Sequence, residues 1–155
     1  MEHITLPPLR LVGISLGRKT TNENGQSNQD CGALWQRFEE GNYSQRIADR
    51  ITDAVYAVYF NYDGDHTQPF EYFIGHAVTD QAPVPEGMDD LSIPGQKYLK
   101  LTARGEIPAS IANAWRSIWK GDIDRAYGFD IEIYDERSQN WKAAEVDVLV
   151  SVLPG

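Results

Sequence analysis

Two stretches of this chain carry the same pattern, and that repetition limits the folds open to it. The segment Trp35-Gln36-Arg37-Phe38-Glu39-Glu40-Gly41 recurs 80 residues later as Trp115-Arg116-Ser117-Ile118-Trp119-Lys120-Gly121. The same offset carries Cys31 to Ile111 and Phe38 to Ile118. Positions i, i+4 and i+7 share one face of a helix. A whole apolar stripe is therefore duplicated, together with the glycine that stops it. Phe70-Glu71-Tyr72-Phe73 corresponds to Ala144-Glu145-Val146-Asp147 at the shorter offset of 74, because the loops differ in length. Each half reads strand, helix, strand, strand. An α+β fold of tandem βαββ repeats follows, with a pseudo-two-fold relating the halves. Helices carrying the Trp35 and Trp115 stripes would cover one sheet face. The other face is expected to form a groove where the halves join, a common place for a ligand.

The elements run in order along the chain. Leu9 to Leu16 is an apolar strand interrupted by Gly13, and Gly17 to Asn28 is a polar loop. The first helix follows over Asp30 to Glu40, with Asn28 or Asp30 as its cap. Ala54 to Tyr62 and Phe70 to Val78 form a hairpin across Asp63-Gly64-Asp65. Residues 80 to 95 are expected to be a connecting loop. Lys97 to Ala103 is a strand, and Pro108 begins the second helix. Tyr127 to Asp135 and Ala144 to Val152 are the last strands. The expected division is one domain over 1–155, with repeat one about 8–79, the loop 80–95, and repeat two about 96–153.

The strand Tyr127 to Tyr134 alternates. Phe129, Ile131 and Ile133 fall on one face; Asp130, Glu132 and Tyr134 fall on the other. A mid-strand carboxylate opposite a core face suits a sheet whose second face lines a ligand groove. A solvated sheet face would explain it too. Tyr98 and Tyr134 share this parity. Tyr56 and Tyr59 lie on opposite faces of one strand, and both of its faces are apolar, so periodicity does not choose between them. Trp119, four residues after Trp115, stands at the edge of that stripe, where it would either reach the groove rim or pack as a partly buried tryptophan. Glu145 opposes the valine face of the last strand.

Charge excludes some functions. The net charge of −9 argues against a non-specific nucleic-acid binder and against docking on anionic membranes. The lone Cys31 allows no internal disulfide. The start of the chain reads as no signal peptide, and no apolar run approaches the roughly 18 residues of a bilayer span, so the expected location is cytoplasmic. His3, His66 and His76 are scattered without metal-ligand spacing, and no nucleophile motif or phosphate loop appears. No catalytic residue, metal or cofactor is expected.

Several stretches resemble the GyrI-like, or AraC-type, effector-binding domains. They are Tyr56 to Tyr62 with its Asp63-Gly64-Asp65 turn, Phe70 to Gly75, Val84-Pro85-Glu86-Gly87-Met88, Ile93 to Tyr98, Trp115 to Trp119, Phe129 to Tyr134, and Glu145 to Val148. The likeness covers nearly the whole chain in the right order, although each motif is short. It implies one curved antiparallel sheet, helices on one face and an aromatic groove opposite them. It also implies a groove glutamate, and Glu132 fits that place. The ligands implied are amphipathic cationic small molecules. The helix-turn-helix region of regulator members is not seen, so a stand-alone member is expected, with no direct nucleic-acid binding.

The ligand-binding candidates are thus Glu132, Tyr134, Tyr98, Tyr56, Tyr59, Trp119 and Glu145. Two other functions fit the same resemblance. A hydrolase acting on reactive electrophiles would use Glu132 or Glu145 as general base. A protein-contact role, with a transcription regulator or topoisomerase as partner, would use acidic residues such as Glu39, Glu40, Asp89 and Asp90.

Overall fold

The computed structural model describes residues 2–154. They form the strands β1 (Glu2–Leu6), β2 (Leu9–Ser15), β3 (Val55–Phe60), β4 (Glu71–Ala77), β5 (Asp89–Ile93), β6 (Gln96–Gly105), β7 (Asp130–Tyr134) and β8 (Ala144–Ser151). The helices are α1 (Gln26–Glu40), the short α2 (Tyr43–Arg46) and α3 (Ala109–Lys120). All eight strands join one antiparallel sheet in the order β1-β6-β8-β7-β3-β4-β2-β5.

The sheet order exposes the duplication. The halves β2-α1-β3-β4 and β6-α3-β7-β8 meet where β3 pairs with β7. The registers superpose β3 on β7 at an offset of 75, given the offset of 74 between β4 and β8. Two isolated bridges repeat at these same offsets, Arg50 with Val78 and Arg125 with Val152. Ala57 pairs with Glu132, which is also 75 residues further on. The pseudo-two-fold axis therefore passes through the Ala57–Glu132 pair.

Both edges are built by exchange. Strand β1 precedes β2 but pairs with β6; β5 precedes β6 but pairs with β2. The exchanged strands are themselves repeats, Ile4-Thr5-Leu6-Pro7 matching Leu91-Ser92-Ile93-Pro94 at an offset of 87. The stretch 80–95, expected to be a loop, thus contains a strand. Its Leu91 and Ile93 point inward while Asp89 and Asp90 stay exposed.

The sheet is buried on both faces. One face packs under α1 through Leu34, Phe38, Ala57, Tyr72 and Ile74, and under α3 through Trp115, Ile118, Val148 and Val150. The other face closes on itself. A single cluster draws from all eight strands, among them Ile4, Leu11, Val58, Phe73, Ile93, Tyr98, Ile131 and Leu149. Val58, Ile131 and Leu149 are 2% exposed or less although neither long helix packs on this face, which requires the sheet to curl over them. Apolar residues fill the middle of that face, and a hollow lined by Phe60, Glu71, Phe73, Met88 and Leu91 lies toward its β5 edge. Glu132, expected in a groove opposite the helices, stands on the helix-covered face instead.

Local signals hold with small shifts. Gly41 and Gly121 close α1 and α3 as expected. Helix α1 begins at Gln26, before the expected cap. Asp30 lies within the helix and accepts hydrogen bonds from Arg18, Thr20 and Gln26, which ties the β2–α1 loop to it. Pro108 precedes the first residue of α3 and caps it. Tyr127 falls outside β7, with φ at 52°. Strand β2 runs unbroken through Gly13, which faces Gly75 of β4. A Cβ on Gly13 would lie 1.9 Å from the Ile74 carbonyl oxygen, so glycine permits this close strand approach.

Candidate ligand-binding site

Glu132 sits at the centre of β7 on the pseudo-two-fold, with Ala57 beside it across the β3–β7 pair. The small alanine leaves the space on that face to the longer side chain. Glu132 is 1% exposed. Its Oε2 accepts from Tyr59 Oη at 2.8 Å and from Trp115 Nε1 at 2.6 Å. Its Oε1 accepts from Tyr134 Oη at 2.6 Å. Tyr134 lies 75 residues after Tyr59, so two repeat mates converge on one carboxylate from opposite sides of the axis.

The rings form a shell. Tyr59 lies 4.8 Å from Tyr72 and 5.1 Å from Trp115, centroid to centroid. Trp35 meets Tyr134 edge to face at 4.8 Å. Trp35 and Trp115 are the repeated helix tryptophans, yet their indole N–H groups serve different acceptors. Trp115 donates to Glu132 and Trp35 donates to Tyr72 Oη at 2.8 Å. The halves have diverged here: Glu132 and Tyr72 have Ala57 and Val146 as repeat mates.

All three partners of Glu132 are neutral donors, and no salt bridge reaches it among the described residues. Burial raises its pKa, and the hydrogen bonds from Tyr134, Trp115 and Tyr59 oppose that rise. Burial also holds the Tyr59, Tyr72 and Tyr134 hydroxyls well above the ordinary tyrosine range, and the negative charge of Glu132 adds to it. Nearby, the Cys31 thiol is pushed up by burial and then by Glu132. This is a dry carboxylate ringed by π faces. Tyr59, Tyr134 and Trp35 keep partial exposure while the two tyrosine hydroxyls are buried against Glu132.

Of the sequence candidates, the structure brings together Glu132, Tyr134 and Tyr59. Tyr56 and Tyr98 belong to the cluster on the other side of the sheet, where Gln96 Nε2 donates to Tyr98 Oη. Trp119 is exposed at the end of α3 and stacks on His66 at 5.2 Å. Glu145 pairs with Arg104 at 2.8 Å, away from Glu132. Tyr98 and Glu145 do oppose the Leu101 and valine faces of their strands, whereas Glu132 and Tyr134 lie on the helix-covered face, because both faces of the sheet are apolar and an apolar run does not mark the only core. Asp90, a candidate of the protein-contact reading, pairs with Arg10.

Sequence reasoning missed Trp115, Tyr72 and Trp35 as shell residues. The duplicated tryptophan stripes held the signal. The stripes read as a helix-covered core on the face away from Glu132, and the structure puts core and carboxylate on one face. Among the described residues no three His, Cys, Asp or Glu side chains are grouped to hold a metal, and no helix is long and apolar enough to cross a membrane.

A single antiparallel eight-stranded sheet with few helices matches the fold of the GyrI-like effector-binding domains. Residues 4–152 match the family described as Cass2, integron-associated effector binding protein, and the chain belongs to that family. It is similar to an integron cassette protein from the mobile metagenome of Vibrio cholerae, with 24% identity, a TM-score of 0.70, and coverage of 96% of this chain and 94% of that one. It shares its fold with the protein SAV2435, solved bound to tetraphenylphosphonium, at a TM-score of 0.77, 15% identity, and coverage of 98% and 93%. Over 113 residues it is 30% identical to the transcriptional regulator BrlR of Pseudomonas aeruginosa. That match takes in 68% of this chain and 39% of the regulator.

Proposed function

We propose that this protein captures amphipathic organic cations in the aromatic shell around Glu132. One observation carries the reading: a carboxylate 1% exposed, held by neutral donors alone. A buried charge without a countercharge is costly, and an incoming cation relieves that cost. The faces of Tyr59, Tyr72, Tyr134, Trp35 and Trp115 each add about 0.5–2 kcal/mol of cation–π attraction when dry. Glu132 supplies the countercharge, and Tyr59 and Tyr134 orient it. The family description and the tetraphenylphosphonium held by a protein of the same fold support the reading.

A titration of tryptophan fluorescence with tetraphenylphosphonium, the neutral triphenylphosphine oxide and the anionic tetraphenylborate tests it. The expected result is saturable quenching by the cation alone. Glu132→Gln should weaken it by about tenfold or more, the loss expected from removing a buried charge partner. Equal binding of all three compounds, or an undiminished Glu132→Gln variant, would sink it. The raised pKa of Glu132 also suits a general base in a hydrolase. Product accumulating beyond one equivalent from an electrophilic substrate would favour that second reading.

A further inference from the structure

Strand β7 carries two buried carboxylates on one face, Asp130 and Glu132, and only one of them has a cation. Asp130 is 0% exposed. Arg125 Nη2 donates to it at 2.8 Å, and the arginine side chain is itself 4% exposed. Tyr62 Oη, Ser151 N and Ser151 Oγ complete the shell of donors around Asp130. The guanidinium lies 4.3 Å from the centroid of Tyr127 and 5.8 Å from those of Tyr62 and Trp115. Its Nε and Nη1 have no acceptor. This is a planar cation among aromatic rings beside a carboxylate, the chemistry attributed above to the ligand at Glu132. The two places share the Trp115 indole: its N–H serves Glu132 and its ring neighbours Arg125.

We infer that Arg125 is a specificity-determining residue, an internal cation that fills the second anionic place on β7 and so restricts the ligand site to singly charged cations. The inference rests on the proposed function. With Arg125 present, Asp130 is neutralised and Glu132 is the one uncompensated charge. Residues two apart on a strand are separated by about 6.6 Å. A dication with its charges that far apart would bring its second charge against the guanidinium and find no free carboxylate. Beside that neutral pair the second charge loses its water and gains no carboxylate in return, which disfavours the dication by about tenfold.

The test compares N-benzyl-4-phenylpyridinium with its doubly charged analogue, 1,1′-dibenzyl-4,4′-bipyridinium, by calorimetric titration. The parent should bind the monocation about tenfold more tightly. Arg125→Met frees Asp130 and should shift the preference toward the dication. Asp130→Asn leaves Arg125 uncompensated and should shift it further toward the monocation. Opposite shifts in the two variants follow from charge, whereas packing damage moves both the same way. The double variant, neutral again, should keep the monocation preference. Should Arg125→Met not fold, Asp130→Asn still decides by its direction. An unchanged ratio, or equal shifts in the same direction, overturns the inference while leaving cation capture standing. Failure of the parent to bind either compound sinks cation capture and this inference with it.

Discussion

Glu132 keeps its place through an arrangement of donors that favours its charged form without supplying a charge. Its raised pKa has a consequence for stability. The folded state holds the proton more tightly than the unfolded chain. The contribution of Glu132 is therefore fully present below its unfolded pKa and is lost as pH rises through its raised folded value. The thermal midpoint of the parent should fall relative to Glu132→Gln as pH increases over that window, and the two curves should run parallel above it. Scanning calorimetry of both proteins from pH 4 to 8 checks this; parallel curves throughout would count against it. Ligand affinity runs the other way, because a cation favours the carboxylate: it should rise over the same window in the parent and stay flat in Glu132→Gln. Tyr134→Phe removes a donor to the charged form, so the midpoint of that rise should move to higher pH. Strand parity alone made Glu132 and Tyr134 legible as neighbours. It could not separate Tyr59 from Tyr56, because β3 is buried on both sides and neither face is marked by polarity.

The helices and central strands were legible because each carries a periodic apolar stripe or an alternating face. The edge strands were not. β1 and β5 are short, and each carries two residues of a one-faced pattern, too few to stand out from a loop. Their signal lay in comparison, since Ile4-Thr5-Leu6-Pro7 and Leu91-Ser92-Ile93-Pro94 repeat as clearly as the helices do. Gly13 reads as a strand breaker in isolation, yet it lets β2 lie close against β4 at Gly75. Gly13→Ala would force a Cβ into the Ile74 carbonyl. The expected cost is about 3 kcal/mol, roughly 6–12 °C in the thermal midpoint by circular dichroism. An unchanged midpoint would mean that β2 shifts freely. The side of the sheet on which the site lies was misjudged for a related reason. A sheet that curls on itself buries its back without a second layer, and no local pattern reports that curl.

At the scale of the molecule, the exchanged edges make the halves interdependent. Each half lends its first strand to the other, so neither can complete its own edge. Fragments 1–83 and 84–155, prepared separately, should show no cooperative thermal transition, and mixing them should restore one together with the quenching by tetraphenylphosphonium. A cooperative transition in either fragment alone would contradict this. The βαββ duplication was legible in the chain as a repeated helix, but the exchange was not, because pairing between distant strands leaves no trace in local spacing.

The position of Glu132 on the symmetry axis also bears on how such a protein could arise. In a dimer of identical single repeats the axial pair must be the same residue twice, two alanines or two glutamates. Two glutamates there would stand in direct cross-strand contact, with Cβ atoms about 5 Å apart and like charges in a dry interior. Joining the two copies in one gene lifts that restriction. One copy can then mutate the axial position while the other keeps a small residue, as Ala57 does beside Glu132. A single negative charge at the centre of a two-fold structure is thus available to a fused chain and closed to its symmetric ancestor.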